Sequence, residues 1–151
     1  MPQSGQHSVL VVPVPEADQF VARAHITLLS PFAAKEQLTD GLLGELDDFF
    51  ADCLPWSYKL AEVAVFPSGT TYLAPDPLAP FRSLTHELFR HFPEYPPYGG
   101  QFGDVIPHLS VPDGFTMAEP LTTYARRAEL WWYDGEDVDV LASFPFGTTA
   151  A

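Results

Sequence analysis

Cationic side chains and cysteines are scarce in this sequence. Seven Lys and Arg residues stand against 20 Asp and Glu residues in a chain of 151, so the formal net charge is −13. Because binding to long nucleic acid depends on many cation–phosphate contacts, this balance argues against a partner of that kind. The single cysteine, Cys53, excludes an internal disulfide and a cysteine-based metal cluster. Any phosphate that the protein handles should therefore belong to a small molecule or to a terminus held in one local pocket.

Membrane, secretion and cofactor signals are missing as well. No apolar run approaches the roughly 20 residues of a membrane-spanning helix, and the first residues lack the basic and apolar regions of a signal peptide. No His, Asp or Glu residues show metal-ligand spacing such as H-E-x-x-H, and no glycine motif has the context of a phosphate-binding loop. We therefore expect a cytoplasmic protein with no membrane partner, no metal and no cofactor.

The expected oligomeric state is a monomer or a weak dimer. Trp131 and Trp132 are consecutive on a predicted strand, so only one of them can face the core. The other is either a lone exposed aromatic residue, which is common, or a contact with a second copy.

Sixteen prolines and ten glycines divide the chain into short elements. Runs rich in β-branched residues predict strands, and two stretches with helical periodicity predict amphipathic helices. The length indicates one domain, with an ordered core of about residues 8–146. The predicted order, β-β-α-β-β-α-β-β-β, is an α+β pattern with mainly antiparallel pairing. The predicted strands are 8–14, 23–29, 56–65, 71–74, 108–111, 121–133 and 138–146, and the predicted helices are 35–53 and 80–92.

Two tetrapeptides with one pattern carry the candidate catalytic residues. HITL begins at His25 and HLSV begins at His108, each in a predicted strand. Since positions i and i+2 of a strand share a face, each histidine should project together with a hydroxyl residue, Thr27 or Ser110. Two imidazoles can divide acid and base roles near neutral pH, and the hydroxyls can donate hydrogen bonds to phosphate oxygens. For either motif alone, the alternative is a half-buried strand histidine bonded to a neighbouring hydroxyl.

Arg23 is a candidate substrate contact beside the first motif. It precedes His25 by two residues, so it shares the face of that histidine if the strand begins early enough. In that position it could steer a phosphate group. The alternative is a solvated cation at the end of the strand.

Aromatic residues that precede the second motif give further candidates. Tyr98 and Phe102 lie on the long, proline-rich segment 93–107, a kind of loop that often carries function. They could stack on a nucleobase or pack against the core. Phe66 and Tyr72 have the same two interpretations, and core packing is favoured for them.

The two H-x-T/S motifs resemble those of the two-histidine (2H) phosphoesterase superfamily, which includes the 2′-5′ RNA ligase-like and cyclic phosphodiesterase proteins. The likeness extends over roughly residues 8–146. It is carried by AHITLLSPF, VAVFPSGTTYLAP, PFRSLTHELFRHFPEYPPYGG and FGDVIPHLSV. The resemblance implies a bilobal α+β fold with pseudo-twofold symmetry, in which mainly antiparallel sheets and two helices surround a central cleft and each lobe contributes one motif.

The same resemblance implies metal-independent phosphodiester chemistry on 2′,3′-cyclic phosphates, 2′-5′ linkages or related nucleotides. His25 and His108 would be acid and base in either order, and the substrate would be a small nucleotide or an RNA terminus. Segments 15–24 and 112–120 are shorter than in many relatives, which affects the expected substrate contacts more than the catalytic set. Two alternatives stay open: a module that binds a nucleotide or phosphorylated metabolite with weak or no catalysis, and a scaffold with unrelated small-molecule chemistry.

Overall fold

The structure, a computed structural model, describes residues 6–95 and 106–147. Within those ranges the chain forms eight strands, two α-helices and two short 3-10 helices. None of the described helices combines the length and the apolar character needed to cross a membrane. The strands are β1 (Gln6–Pro13), β2 (His25–Leu29), β3 (Trp56–Val65), β4 (Thr71–Asp76), β5 (Leu109–Val111), β6 (Leu121–Ala125), β7 (Arg127–Asp134) and β8 (Val138–Pro145), and the helices are α1 (Asp40–Ala51) and α2 (Ala79–His91).

The strands form two antiparallel sheets of related layout. The first sheet has the order β2-β1-β7-β8 and the second has the order β5-β4-β3-β6. In each sheet the strand of a histidine motif, β2 or β5, lies at an edge, and these two edge strands contact each other. The α+β fold with two related lobes is therefore confirmed, and it brings the two motifs together where the sheets meet.

The first helix is shorter than the predicted range 35–53. Thr39 stops the preceding 3-10 turn from continuing into the helix, because its hydroxyl accepts the backbone N–H of Leu42 at 3.2 Å and so caps α1. Leu46 and Phe50 are the fully buried residues of α1, which packs against β8. The apolar periodicity therefore gave the correct buried face and a start that was too early.

The second helix supports the strand of the first motif. Phe81, Leu84 and Leu88 form its buried face, as the periodicity predicts. From the same face the Thr85 hydroxyl donates a hydrogen bond of 2.6 Å to the backbone carbonyl of Leu28 on β2. Because β2 is an edge strand, this bond satisfies a buried carbonyl and fixes β2 against the helix.

The predicted strand 121–133 is wrong as a single element. The chain breaks at Arg126, so that β6 belongs to the second sheet and β7 to the first. The buried positions end at Ala125 and resume at Ala128, a spacing of three instead of two, and the carbonyl of Arg126 accepts a hydrogen bond from Phe146 N. A run of strand-forming residues does not show where the chain passes from one sheet to the other. The change of spacing becomes visible only when the burial of each residue is known.

One apolar cluster contains residues from both sheets and both helices. The histidine motifs contribute to it through the alternate residues that face inward. These inward residues are Ile26 and Leu28 on β2 and Leu109 and Val111 on β5. The opposite face of each motif strand is thereby left for the site.

Candidate active site

Alternation along β2 and β5 sorts the two motifs as expected from the sequence. On β2, His25 and Thr27 are half-buried, while the residues between and after them are buried. On the second motif Ser110 is exposed between two buried residues, and His108 lies immediately before β5 rather than inside it. Each histidine is therefore positioned by a strand whose other face is anchored in the core.

The two motifs line one cavity. It has a volume of about 170 Å³, and His25, Thr27, His108 and Ser110 all contribute to its walls. The remaining walls come from residues 21–24 and Leu109. The volume is below the roughly 300–1,000 Å³ of pockets that enclose a drug-sized ligand, so it suits a phosphodiester group and part of a sugar rather than a whole nucleotide.

Both imidazoles make the same hydrogen bond to the backbone. Nδ1 of His25 lies 2.8 Å from the carbonyl oxygen of Arg23, and Nδ1 of His108 lies 2.8 Å from that of Ile106. A carbonyl oxygen only accepts, so Nδ1 carries the proton in each ring. In the neutral form Nε2 is then the nitrogen with a free lone pair, as a general base requires.

The environment lowers the pKa of both histidines. Burial lowers the pKa of His25, the carbonyl of Arg23 partly offsets this, and the charge of His108 lowers the pKa further. Burial also lowers the pKa of His108, and the carbonyl of Ile106 partly offsets it. Because a positive charge on His108 disfavours a positive charge on His25, the pair favours states in which at most one of the two rings is an imidazolium.

His25 packs against an aromatic residue of the neighbouring strands. The ring centroids of His25 and Trp131 are 4.7 Å apart, although Trp131 lies on β7, two strands away. Trp131 is 4% exposed, and its Nε1 donates a hydrogen bond of 2.9 Å to Glu129. Glu129 also accepts from Arg127 Nε at 3.1 Å. Arg127, Glu129 and Trp131 alternate along β7 and are connected by these hydrogen bonds, and Trp131 contacts the ring of His25. The sequence did not indicate this contact.

His108 packs against a different aromatic pair. Its ring lies edge-on to Phe66 at 4.9 Å and to Tyr72 at 5.7 Å, and these two rings stack on each other at 3.9 Å. Both aromatic residues are half-buried. The expectation that they pack into the core is therefore wrong, because they cover the second histidine. Register explains the placement, since Tyr72 on β4 pairs with Ser110 on β5.

Arg23 lines the cavity for a reason other than strand alternation. The predicted strand 23–29 begins at His25, and Arg23 has a left-handed backbone with φ of 54°. It is the residue with a permanent positive charge among the described residues of the cavity wall. Its carbonyl also accepts the hydrogen bond from His25, so the backbone of Arg23 contacts one of the two motif histidines.

The other predicted aromatic contacts and the tryptophan pair have separate outcomes. Tyr98 and Phe102 lie outside the described residues. Trp132 is half-buried, and Lys35 Nζ lies 5.5 Å from the centroid of its ring. Both tryptophans of the pair thus have intramolecular contacts, and a contact with a second copy stays a prediction.

A larger groove lies between α1 and α2, away from both motifs. Its volume is about 710 Å³, and Glu45, Asp48, Asp52 and Glu87 are among the residues that line it. These carboxylates disfavour a phosphate ligand. In the described part of the chain, no group of three or more His, Cys, Asp or Glu side chains is arranged to hold a metal ion. The smaller cavity is therefore the candidate site.

Comparison with known proteins agrees with this fold. A family model described as the 2′-5′ RNA ligase superfamily matches residues 16–137, which contain both motifs. The resemblance to two-histidine phosphoesterases is thereby confirmed. A search of curated proteins found no significant match.

Several solved structures have a similar fold. TT0787 of Thermus thermophilus has a TM-score of 0.67 at 17% sequence identity, covering 91% of this chain and 96% of that chain. E. coli LigT complexed with 3′-AMP has a TM-score of 0.63 at 11% identity, covering 95% and 99%. A protein described as a phosphoesterase has a TM-score of 0.64 at 12% identity, with the same coverage of 95% and 99%. At these identities the likeness establishes a common fold.

Proposed function

This chain belongs to the 2′-5′ RNA ligase superfamily, and from that premise we propose that it is a metal-independent phosphodiesterase. Its proposed substrates are 2′,3′-cyclic phosphates, 2′-5′-linked nucleotides or small RNA ends. The observation that carries the proposal is the shared cavity. Both histidines line it, and Nδ1 of each donates a hydrogen bond to a backbone carbonyl. Two Nε2 atoms are then available for proton transfer at one phosphorus centre.

The proposed reaction on a 2′,3′-cyclic phosphate divides the proton transfers between the rings. Nε2 of His25 accepts a proton from water as the water oxygen forms a bond to phosphorus. The bond from phosphorus to O2′ or O3′ breaks, and Nε2 of protonated His108 donates its proton to the departing oxygen. The product is a phosphomonoester with a free ribose hydroxyl, and proton exchange with solvent restores the pair. On a 2′-5′ linkage, the same positions serve the attacking hydroxyl and the departing 5′ oxygen.

We assign the base role to His25 on the asymmetry of the pair. Burial lowers the pKa of both rings, and His25 also packs against the buried ring of Trp131, so His25 is assigned as the ring that stays neutral while His108 holds a proton. Thr27 and Ser110 are assigned to the non-bridging oxygens, where each hydroxyl can donate one hydrogen bond. Arg23 is assigned to the phosphate charge, because it supplies a cation at a cavity wall of a protein with net charge −13.

The size and charge of the site favour a small substrate. A cavity of about 170 Å³ accommodates the reacting phosphate, and the net charge of −13 opposes a long polyanion. The fold similarity to LigT, whose structure was obtained with 3′-AMP, supports a nucleotide-sized ligand. Tyr98 and Phe102 stay proposed contacts for the base.

The test is a turnover assay with product identification. The protein is incubated in EDTA with 2′,3′-cyclic nucleotides and with 2′-5′ dinucleotides, and the products are identified by phosphorus NMR and chromatography. In wild type we expect the cyclic nucleotides to give a phosphomonoester, and the dinucleotides to give a 2′,3′-cyclic phosphate and a free 5′ hydroxyl before further hydrolysis. These products should be lost in His25→Ala and His108→Ala. Binding of these ligands without turnover would contradict the proposal and support a nucleotide-binding module. Turnover that stops in EDTA would contradict metal independence.

A further inference from the structure

The short segment between β1 and β2 forms one wall of the cavity. Residues 21–24 all line it. The segment contains a 3-10 helix, Pro15–Gln19, whose Ala17 is fully buried. Val14 N donates to the carbonyl of Ala24 at 2.9 Å, which closes the segment at its base. The segment is thus a tightly bonded part of the cavity wall.

Arg23 has the left-handed backbone within this segment. Its φ of 54° is the one positive value at a non-glycine residue among the residues that the structure describes. Such a conformation is unfavourable for a residue with a Cβ atom, and it persists where surrounding contacts impose it. Those contacts should therefore be identifiable, and they should serve the site.

One peptide group connects this backbone to both a carboxylate and a catalytic imidazole. In the peptide that joins Arg23 to Ala24, the N–H of Ala24 donates to Asp18 Oδ1 at 2.9 Å. The carbonyl oxygen of the same peptide, that of Arg23, accepts from His25 Nδ1 at 2.8 Å. Because a peptide group is planar, fixing the direction of its N–H also fixes the direction of its C=O. A carboxylate bonded to the N–H further polarises the carbonyl toward accepting a proton donor.

We propose that Asp18 is a positioning residue for His25, acting through the Arg23–Ala24 peptide group. It holds that peptide so that the carbonyl keeps the proton on Nδ1 and leaves Nε2 of His25 directed to substrate. The inference rests on the proposed function for its effect on activity, but the orientation and tautomer of His25 are properties of the free protein. Asp18 is exposed, so its removal opens no cavity in the core.

The second lobe lacks this arrangement. His108 donates to the carbonyl of Ile106, and the peptide of that carbonyl joins Ile106 to Pro107. Proline has no backbone N–H, so no side chain can hold this peptide as Asp18 holds the other. The effect of Asp18 should therefore be confined to His25, and His108 is an internal reference within each sample.

The experiment compares Asp18→Ala with Asp18→Asn and with a matched control, Asp134→Ala. Asn keeps an oxygen that can accept from Ala24 N. Asp134 is also exposed, and its Oδ1 likewise accepts backbone N–H groups, from Glu136 at 2.8 Å and Asp137 at 2.7 Å, in the turn between β7 and β8. The ring nitrogens of both histidines are observed by nitrogen NMR at a pH where they are neutral, and kcat and KM are measured on a 2′,3′-cyclic nucleotide.

In Asp18→Ala we expect the Nδ1-protonated form of His25 to give way to a mixture of tautomers, with His108 unchanged. We expect kcat to fall by about 10- to 100-fold, the size of loss typical of a misplaced catalytic group, with a smaller change in KM. Asp18→Asn should restore both the tautomer and most of kcat, and Asp134→Ala should match wild type. A wild-type tautomer at His25 in Asp18→Ala would overturn the inference, whatever the activity. If wild type shows no turnover, the proposed function fails, and the NMR comparison still decides the role of Asp18.

Discussion

The two histidine motifs share one local arrangement and differ in what surrounds it. In both, Nδ1 donates to the carbonyl two residues earlier at 2.8 Å, and a hydroxyl residue follows two positions later. His25, however, packs against Trp131, whereas His108 packs against Phe66 and Tyr72. The repeated hydrogen bond to a backbone carbonyl fixes the tautomer of each ring, which proton transfer requires. The different aromatic neighbours give each ring its own environment and so permit different roles.

The protonation of the pair extends this comparison. Burial lowers the pKa of both rings, and because the rings line one cavity, a charge on either ring disfavours a charge on the other. The pair can therefore hold one proton while the second ring is neutral. The different aromatic neighbours are the basis for proposing His25 as the neutral ring and His108 as the protonated one.

Removal of either imidazole should give the largest effect. We expect His25→Ala and His108→Ala each to lower kcat/KM on a 2′,3′-cyclic nucleotide by about 10²–10⁴-fold, because each removes one proton transfer. The double variant should lose much less than the product of the single losses, since both rings act in one transition state. Independent, multiplicative losses would show that the two motifs do not work as a pair. Melting temperatures near that of wild type serve as the control for folding.

The sequence predicted the motif faces well because strand alternation is local. The placement of His25 and Thr27 on one side, with Ile26 inside, follows from period two alone. The contact with Trp131 does not, because it depends on β1 pairing with β7 in the register that sets Val9 opposite Trp131. Such register is fixed by the whole sheet and not by either segment.

Two further features of the fold were not predicted from the sequence, for physical reasons of the same kind. The break at Arg126 was not predicted because both flanking segments are good strands, and only the change of sheet separates them. The left-handed Arg23 was not predicted because arginine has no preference for that conformation. It is imposed by hydrogen bonds of residues 14–24 that become visible only in the folded chain.

Loss of a motif hydroxyl should give a smaller effect. Thr27→Ala or Ser110→Ala removes one hydrogen bond to a charged phosphate oxygen, an interaction of about 1.5–3 kcal/mol, so we expect a loss of roughly 10- to 100-fold in kcat/KM. Equal losses would indicate that the two lobes bind the phosphate symmetrically. Full activity of either variant would show that the hydroxyl it lacks does not bind the phosphate. Thr70→Ala, a substitution in the exposed turn before β4, is a suitable control.

The pH dependence should report the lowered pKa values directly. The base must be neutral and the acid protonated, so kcat/KM should rise and then fall with pH. Because both pKa values lie below the ordinary value of about 6.5, the maximum should lie on the acidic side of that pH. The maximum of kcat should lie at higher pH, since a bound phosphate anion favours the imidazolium form. A profile that is flat between about pH 5 and 9 would contradict two titrating imidazoles.

The aromatic neighbours should give the smallest and most selective effect. Trp131→Leu lets water reach His25, so its pKa should rise and the ascending limb of the kcat/KM profile should move to higher pH. Phe66→Leu should do the same for His108 and move the descending limb instead. We expect each shift to be less than about one pH unit, since each residue provides part of the burial. Trp132→Phe, beside Trp131 in sequence but in contact with Lys35, should move neither limb. Movement of both limbs by either variant would contradict separate environments for the two rings.

The division of labour between the histidines is tested most directly by changing the leaving group. Departure of a ribose hydroxyl needs a proton from the acid, whereas p-nitrophenolate departs readily without one. The account predicts that His108→Ala loses about 10²–10⁴-fold in kcat/KM on a 2′,3′-cyclic nucleotide but less than about tenfold on a nucleoside p-nitrophenyl phosphodiester, while His25→Ala loses activity on both. Equal losses of the two variants on both substrates would contradict the assignment of His25 as base and His108 as acid. The assignment would also be contradicted if the p-nitrophenyl substrate restored activity to His25→Ala and not to His108→Ala.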